Sequence, residues 1–267
     1  MNIAILGCGN MGKALIGGMI NSFGSDCSIT AFDLNPVALS GLPESIVIRR
    51  FEDWFQNADT IPDVIIIAIK PVDIAQAINQ LPKDSQLNRS LWISIAAGVT
   101  IARLQELLGR ETRICRVMPN TPALVGEGMS AFAGNEYCSG KDVDTIKAIL
   151  NSFGKSVQVA EKLMDAITGL SGSGPAYVFL FIEALIEGGV TAGLPFSVAK
   201  DCAVQTVLGA AKMVASSSEH PAALKMKVMS PAGTTAHGCK TLEQQAFKHA
   251  VISAVCDATK RSAELGK

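Results

Sequence analysis

Through its first part the chain alternates short aliphatic runs with segments of helical period. The runs at 3–6, 28–32, 64–69, 91–95, 113–117, 129–133 and 156–159 are apolar without strict alternation. That is the pattern of parallel strands covered on both faces. Between them, 13–21, 72–80, 101–108 and 142–152 read as helices. Such strand–helix alternation predicts a doubly wound α/β sheet.

After about residue 160 the strand-like runs stop. The segment 175–187 opens with Pro175 and closes at Gly188-Gly189, the expected helix punctuation. Its stretch Tyr177-Val178-Phe179-Leu180-Phe181-Ile182 is apolar on every side, which predicts a buried helix, covered by a second subunit where its own chain cannot do so. A second long helix is expected at 195–216 and a third at 242–265. The third places Ala246, Phe247, Ala250, Val251, Ala254, Val255 and Ala258 on one face. The expected fold is α/β: an N-terminal Rossmann-type doubly wound sheet over 1–160, followed by an all-helical C-terminal domain over 161–267.

Composition narrows the function. Lys and Arg number 23 against 24 Asp and Glu, which argues against counterion-driven nucleic-acid binding and against a polybasic membrane anchor. Aromatic residues are 5%, too few for a base-stacking platform. Charged residues are 18%, below the usual fraction of about a quarter. So little charge to cover a surface points to an oligomer. No unbroken apolar stretch approaches the roughly 18 residues of a membrane span. No secretory leader is legible, so the expected location is the cytoplasm. The cysteines Cys8, Cys27, Cys115, Cys138, Cys202, Cys239 and Cys256 are scattered with no Cys-x-x-Cys, and His220, His237 and His249 lack ligand spacing. No metal site or disulfide framework is expected.

Gly7-Cys8-Gly9-Asn10-Met11-Gly12 lies between the first predicted strand and a helix. In that context the spacing marks a dinucleotide site: Gly7 for the turn, Gly9 for close approach of pyrophosphate, Gly12 for helix–strand packing. Asp33 ends the second strand, where a carboxylate accepts from ribose hydroxyls and repels a 2′-phosphate. Alone it favours NADH. Arg49 and Arg50, near the third strand, offset this if they face the ribose, so the choice between NADPH and NADH stays open. Lys70 and Asn120 sit in loops where they either face the cofactor or serve only the surface and the turn. Ser230-Pro231-Ala232-Gly233-Thr234-Thr235 reads as a helix start, with Ser230 at the cap and Pro231 at the first helical position. A helix N-terminus also receives anions, and from the residues alone a plain capped helix is equally open.

Several segments together carry a resemblance: Ala68-Ile69-Lys70-Pro71, Ser94-Ile95-Ala96-Ala97-Gly98-Val99, Met118-Pro119-Asn120-Thr121-Pro122, Leu170-Ser171-Gly172-Ser173-Gly174-Pro175-Ala176-Tyr177, and the Ser230–Thr235 segment. In this order they resemble pyrroline-5-carboxylate reductase, a family that reduces a cyclic imine to proline. The resemblance implies a dinucleotide, NADPH or NADH, lined by Leu6, Gly7, Cys8, Gly9, Asn10, Met11, Gly12, Asp33, Ala68, Ile69, Lys70, Pro71, Ile95, Ala96, Ala97 and Asn120. It implies a cyclic imine substrate held by Glu161, Ser230, Gly233, Thr234 and Thr235, with Thr235 as the catalytic hydroxyl. It further implies an intertwined homodimer, often assembled into a decamer; from the charge balance no nucleic-acid or membrane partner is expected. Ala232 stands where the family usually has glycine. The β-hydroxyacid dehydrogenases, which share this architecture, place a catalytic Lys where this chain has Val178, so that chemistry is disfavoured. A non-catalytic dinucleotide sensor would not require the Ser230–Thr235 segment.

Overall fold

The computed structural model of the chain describes residues 1–48, 61–81 and 86–266. Among these residues one eight-stranded sheet forms, from β1 (Asn2–Leu6), β2 (Ser28–Phe32), β3 (Val47–Ile48), β4 (Val64–Ile67), β5 (Leu91–Ser94), β6 (Arg113–Met118), β7 (Gly128–Gly134) and β8 (Gly154–Gln158). The strand order is β3-β2-β1-β4-β5-β6-β7-β8. Every pair is parallel except β6 with β7. The link between those two is a 3-10 turn, Thr121–Val125, too short for the crossover that a parallel pair needs. β7 therefore departs from the parallel direction that its apolar run suggested.

Helices α1 (Asn10–Phe23), α2 (Pro36–Leu39), α3 (Ile74–Asn79), α4 (Ile101–Leu108) and α5 (Gly140–Asn151) connect the strands. Ile3 and Ile5 of β1 join Leu15, Ile16 and Met19 of α1 in one core cluster. Ala4 and Leu6 join Ile74 and Ile78 of α3 and Leu104 of α4 in the other. Two covered faces explain why β4 reads Val-Ile-Ile-Ile, buried throughout. Each such side chain stabilises the fold by about 1.5–3 kcal/mol. The short β3 carried no readable period. Its Val47 and Ile48 are 41% and 50% exposed and, among the described residues, pair with Thr30 and Ala31.

After β8 the chain is helical: α6 (Met164–Ile167), a π turn (Thr168–Gly172), α7 (Gly174–Thr191), α8 (Phe196–Ser216), α9 (Pro221–Val228), α10 (Thr234–Gln244) and α11 (Phe247–Leu265). Two compact units result, one of Met1–Ser173 together with Asp257 onward, the other Gly174–Cys256. The helix expected at 242–265 is divided. Ala246, at φ 55, separates α10 from α11, and its N–H donates to the Glu243 carbonyl at 3.0 Å. Glu243-Gln244-Gln245-Ala246 contains no breaker, so helix propensity gave no warning of the bend.

Within the second unit α7 packs against α8, where a Cβ on Gly189 would lie 3.1 Å from that of Ala199, and more lightly against α11. Tyr177 Oη donates to the Ala254 carbonyl at 3.4 Å, and the Phe181 and Phe247 rings lie 5.7 Å apart. No residue of α7 is buried by its own chain; Phe179 and Leu180 are 63% and 67% exposed. The helical run Glu161–Thr191 is also long and apolar enough, by length and composition, to cross a membrane. This departs from the sequence expectation, which counted unbroken apolar residues. Averaged over a window, the near-neutral Gly, Ser and Thr positions interrupt the apolar run but lower the mean hydropathy only to 1.4.

Two measurements test this description. Ala246→Gly relieves a left-handed alanine and should stabilise the protein by about 1 kcal/mol in a urea titration. In one unbroken helix the same change would destabilise by about the same amount, so the sign decides. Light scattering at micromolar concentration should give at least a dimer, because α7 is only partly covered within one chain; a compact monomer would contradict this reading.

Candidate active site

The strand order reverses direction at β1, with β2 on one side and β4 on the other, and open α/β sheets bind ligands at such a point. Gly7 ends β1 at φ 101, where a Cβ would lie 2.6 Å from the Ala68 carbonyl oxygen; a Cβ on Gly12 would overlap the Gly7 carbonyl. Around Gly9, by contrast, a Cβ would meet nothing within 4 Å. Two glycines are thus demanded by packing, and the third keeps an approach open. Gly9 caps α1 with no side-chain hydrogen bond, so the first-turn N–H groups, which lack intrahelical partners, face the approach uncapped. A cavity of about 410 Å³ opens here, lined by Leu6, Gly7, Gly9, Asp33, Ile69 and Lys70 among others. The cradle fits the pyrophosphate half of a dinucleotide.

Asp33 sits on the rim of that cavity, with its carboxylate fixed from two sides. Oδ2 accepts from the Cys8 N–H at 2.7 Å and Oδ1 from the Asn35 N–H at 2.8 Å. It therefore holds the glycine loop as well as offering itself to a ribose. Leu34, next in sequence, is 83% exposed and supplies no cation for a 2′-phosphate. Arg49 and Arg50 lie outside the described residues. The Cys8 thiol is fully buried, and burial, followed by the Asp33 charge, pushes its pKa up to about 11. It is a neutral packing group.

β1, β4 and β5 run parallel and adjacent, so the loops after them share one edge of the sheet. The first carries Cys8, Asn10, Met11 and Gly12, the second Ala68, Ile69, Lys70 and Pro71, the third Ile95, Ala96 and Ala97. Lys70 is exposed and caps the 3-10 turn Pro71–Asp73 through its backbone. Asn120, after β6, is fully engaged: its Oδ1 accepts from the Met129 N–H at 2.8 Å, and its Nδ2 donates to the Ser171 carbonyl at 3.0 Å. It ties the β6–β7 turn to the π turn. Glu161 also belongs to this unit. Its Oε1 accepts from the Ile101 N–H at 2.8 Å and pairs with Arg116 at 3.3 Å. Sequence reasoning passed over Arg116, whose signal was a charge in the middle of the β6 run, buried where the other arginine of the strand, Arg113 at its start, is half-buried.

The Ser230–Thr235 segment lies in the second unit. Its helix starts later than expected: Gly233 is the cap, α10 begins at Thr234, and no side chain caps it. Ser230 and Pro231 instead form a turn closed by the Gly233 N–H to the Ser230 carbonyl at 3.0 Å. Ala232 holds the third position of that turn at φ 55, a conformation compatible with Pro at the second position and one that glycine adopts without strain. Thr235 is half-buried, and Ser230 and Thr234 are exposed.

A family model described as pyrroline-5-carboxylate reductase dimerisation matches residues 161–265, which supports oligomerisation. Another, described as NADP oxidoreductase, coenzyme F420-dependent, matches residues 2–98. The pyrroline-5-carboxylate reductase of Escherichia coli K12 is 40% identical over 268 residues, covering 99% of this chain and 98% of that protein. That of Synechocystis is 48% identical over 212 residues, 79% of this chain and 78% of the relative. Among solved structures, the Plasmodium falciparum pyrroline carboxylate reductase with NADP bound superposes with a TM-score of 0.87 at 34% identity, covering 100% of this chain and 98% of that one. The Coxiella burnetii enzyme superposes with a TM-score of 0.89 at 33% identity over the same shares. The cradle at β1, the helical second unit and likeness along the whole length together place this chain in the pyrroline-5-carboxylate reductase family.

Proposed function

We propose that this chain reduces 1-pyrroline-5-carboxylate to L-proline, the last step of proline biosynthesis, with Thr235 facing the ring nitrogen. The observation that carries the reading is the start of α10. A helix N-terminus with no side-chain cap and two threonines in its first turn occurs in a chain whose other unit holds a dinucleotide cradle. Bound NADPH or NADH supplies the hydride. The chain does the rest by binding and orientation. The first-turn N–H groups of Thr234 and Thr235 and the Ser230 hydroxyl receive the substrate carboxylate, with Gly233 at the cap leaving room for it, aided by the helix dipole. The Thr235 hydroxyl hydrogen-bonds the ring nitrogen. Threonine is too weak an acid to drive proton transfer, so it orients an imine already protonated in solution. Residues 6–12, Asp33, 68–71, 95–97 and Asn120 form the dinucleotide side. The same reading makes the protein a cytoplasmic homodimer that assembles into a decamer, acting on a small molecule without nucleic-acid or membrane partners.

Loss of reduced-nicotinamide absorbance should require the imine. Turnover of a 3-hydroxy acid with none of the imine would refute the reading. Thr235→Ala should lower kcat about tenfold if the hydroxyl only orients, and by about 10²–10³ if it also stabilises the transition state, with dinucleotide affinity nearly intact. Thr235→Ser should keep much of the rate. Wild-type turnover in Thr235→Ala would remove it from the site.

Asp33→Ser tests cofactor choice. Removing the carboxylate should raise kcat/KM for NADPH relative to NADH. Because Asp33 also holds the Cys8 and Asn35 N–H groups, the absolute value for both cofactors should fall. An unchanged ratio would shift the preference to other loop residues.

A further inference from the structure

Of the helix N-termini at the cofactor edge of the sheet, those of α1 and α4 are treated in opposite ways. That of α1 has no side-chain cap. That of α4 is closed: the Thr100 hydroxyl accepts from the Arg103 N–H at 3.1 Å, and Glu161 Oε1 accepts from the Ile101 N–H at 2.8 Å. Glu161 comes from well beyond α4 in sequence, and its carboxylate is shared with Arg116, whose side chain is only 9% exposed. Arg116 lies on β6 directly beside Ser94, the residue from which the β5–α4 loop departs. One carboxylate therefore grips the end of the 95–100 loop at Ile101, while its cation partner stands beside the loop's beginning. The loop tip is closed from another side. Gly98, at φ 78, would bring a Cβ within 3.4 Å of the Leu265 carbonyl oxygen.

A carboxylate placed between a guanidinium and a helix N-terminus is neutralised by both. Little of its charge remains to act on an iminium. We infer that Glu161, with Arg116, is a positioning pair: it holds the 95–100 loop in the shape that receives the dinucleotide, rather than contacting the substrate. This rests on the reading of that loop as part of the cofactor site. It assigns Glu161 a different partner from the one the family resemblance implied.

The test measures NADH binding to the full-length protein without imine, by fluorescence titration, beside steady-state kinetics. Glu161→Ala should weaken NADH binding about tenfold, with Glu161→Gln intermediate because its amide oxygen still accepts from Ile101. The KM for pyrroline-5-carboxylate should stay within about twofold of wild type. Unchanged NADH binding in Glu161→Ala, or a raised imine KM with normal NADH binding, would overturn the inference. Should Glu161→Ala fail to fold because Arg116 is left buried and unpaired, the double variant Glu161→Met with Arg116→Met removes both charges together. It still lacks the acceptor at Ile101, so it should show the same weakened binding, and wild-type affinity in the folded double variant would overturn the inference. A wild-type protein that binds NADH but does not reduce the imine would refute the proposed function while leaving the pair's effect on binding to stand or fall on its own.

Discussion

At Gly7 a methyl group would press into the carbonyl of Ala68, and at Gly12 it would press into the carbonyl of Gly7. This backbone contact lets α1 begin immediately beyond β1, so that its first turn arrives where the strand order reverses. Asp33 reinforces the same point from β2 through the Cys8 N–H. A side chain at either glycine would push α1 away from the sheet. That shift would move Leu15, Ile16 and Met19 out of the core and open the cradle with them. The binding site and one face of the core depend on a single close approach.

The same physics, partial positive charge at a helix start, is used in two ways in the first unit. At α1 it is left for a ligand. At α4 it is consumed inside the protein, by Thr100 and Glu161. A loop beside a cofactor needs a fixed shape, and a charged anchor from a distant segment provides it without placing a side chain in the site. The cost is the burial of Arg116. That is tolerable because its partner is held in place and remains partly hydrated, with a third of the Glu161 side chain exposed.

The parts of this fold that were legible in the sequence were those built from long periodic signals. Seven apolar runs became strands, the glycine motif fell at the strand–helix junction it requires, and helix α4 begins and ends where its pattern does. The illegible parts are short or non-local. Strand β3 is two residues long. The break at Ala246 has no signal in its neighbours, which all favour helix, and Ala246 itself is exposed. The direction of β7 is set by the brevity of a turn, while its own pattern is silent. The partners of Glu161 lie far away in sequence, and no spacing rule joins Glu161 to Ile101 and Arg116.

The turn before α10 shows how a local violation marks a place where geometry matters. Pro231 fixes φ at the second position of the turn, which suits turns with either sign of φ at the third; here the third position is positive. Ala232 occupies that position at φ 55, at an expense of roughly 1–2 kcal/mol relative to a right-handed conformation. Strain of this kind persists only where the surroundings over-determine the backbone. Here the determining elements are Pro231 on one side and the Gly233 N–H bonded to the Ser230 carbonyl on the other. Together they deliver the chain into α10 at Thr234 with no side chain across the helix start. Had Ser230 capped the helix and Pro231 opened it, as the sequence pattern suggested, the first turn would have carried Pro231, Ala232 and Gly233, and the threonines would have stood deeper in the helix. The late start brings both hydroxyls into the first turn, which is the arrangement the proposed function requires for reaching a carboxylate and a ring nitrogen from one segment.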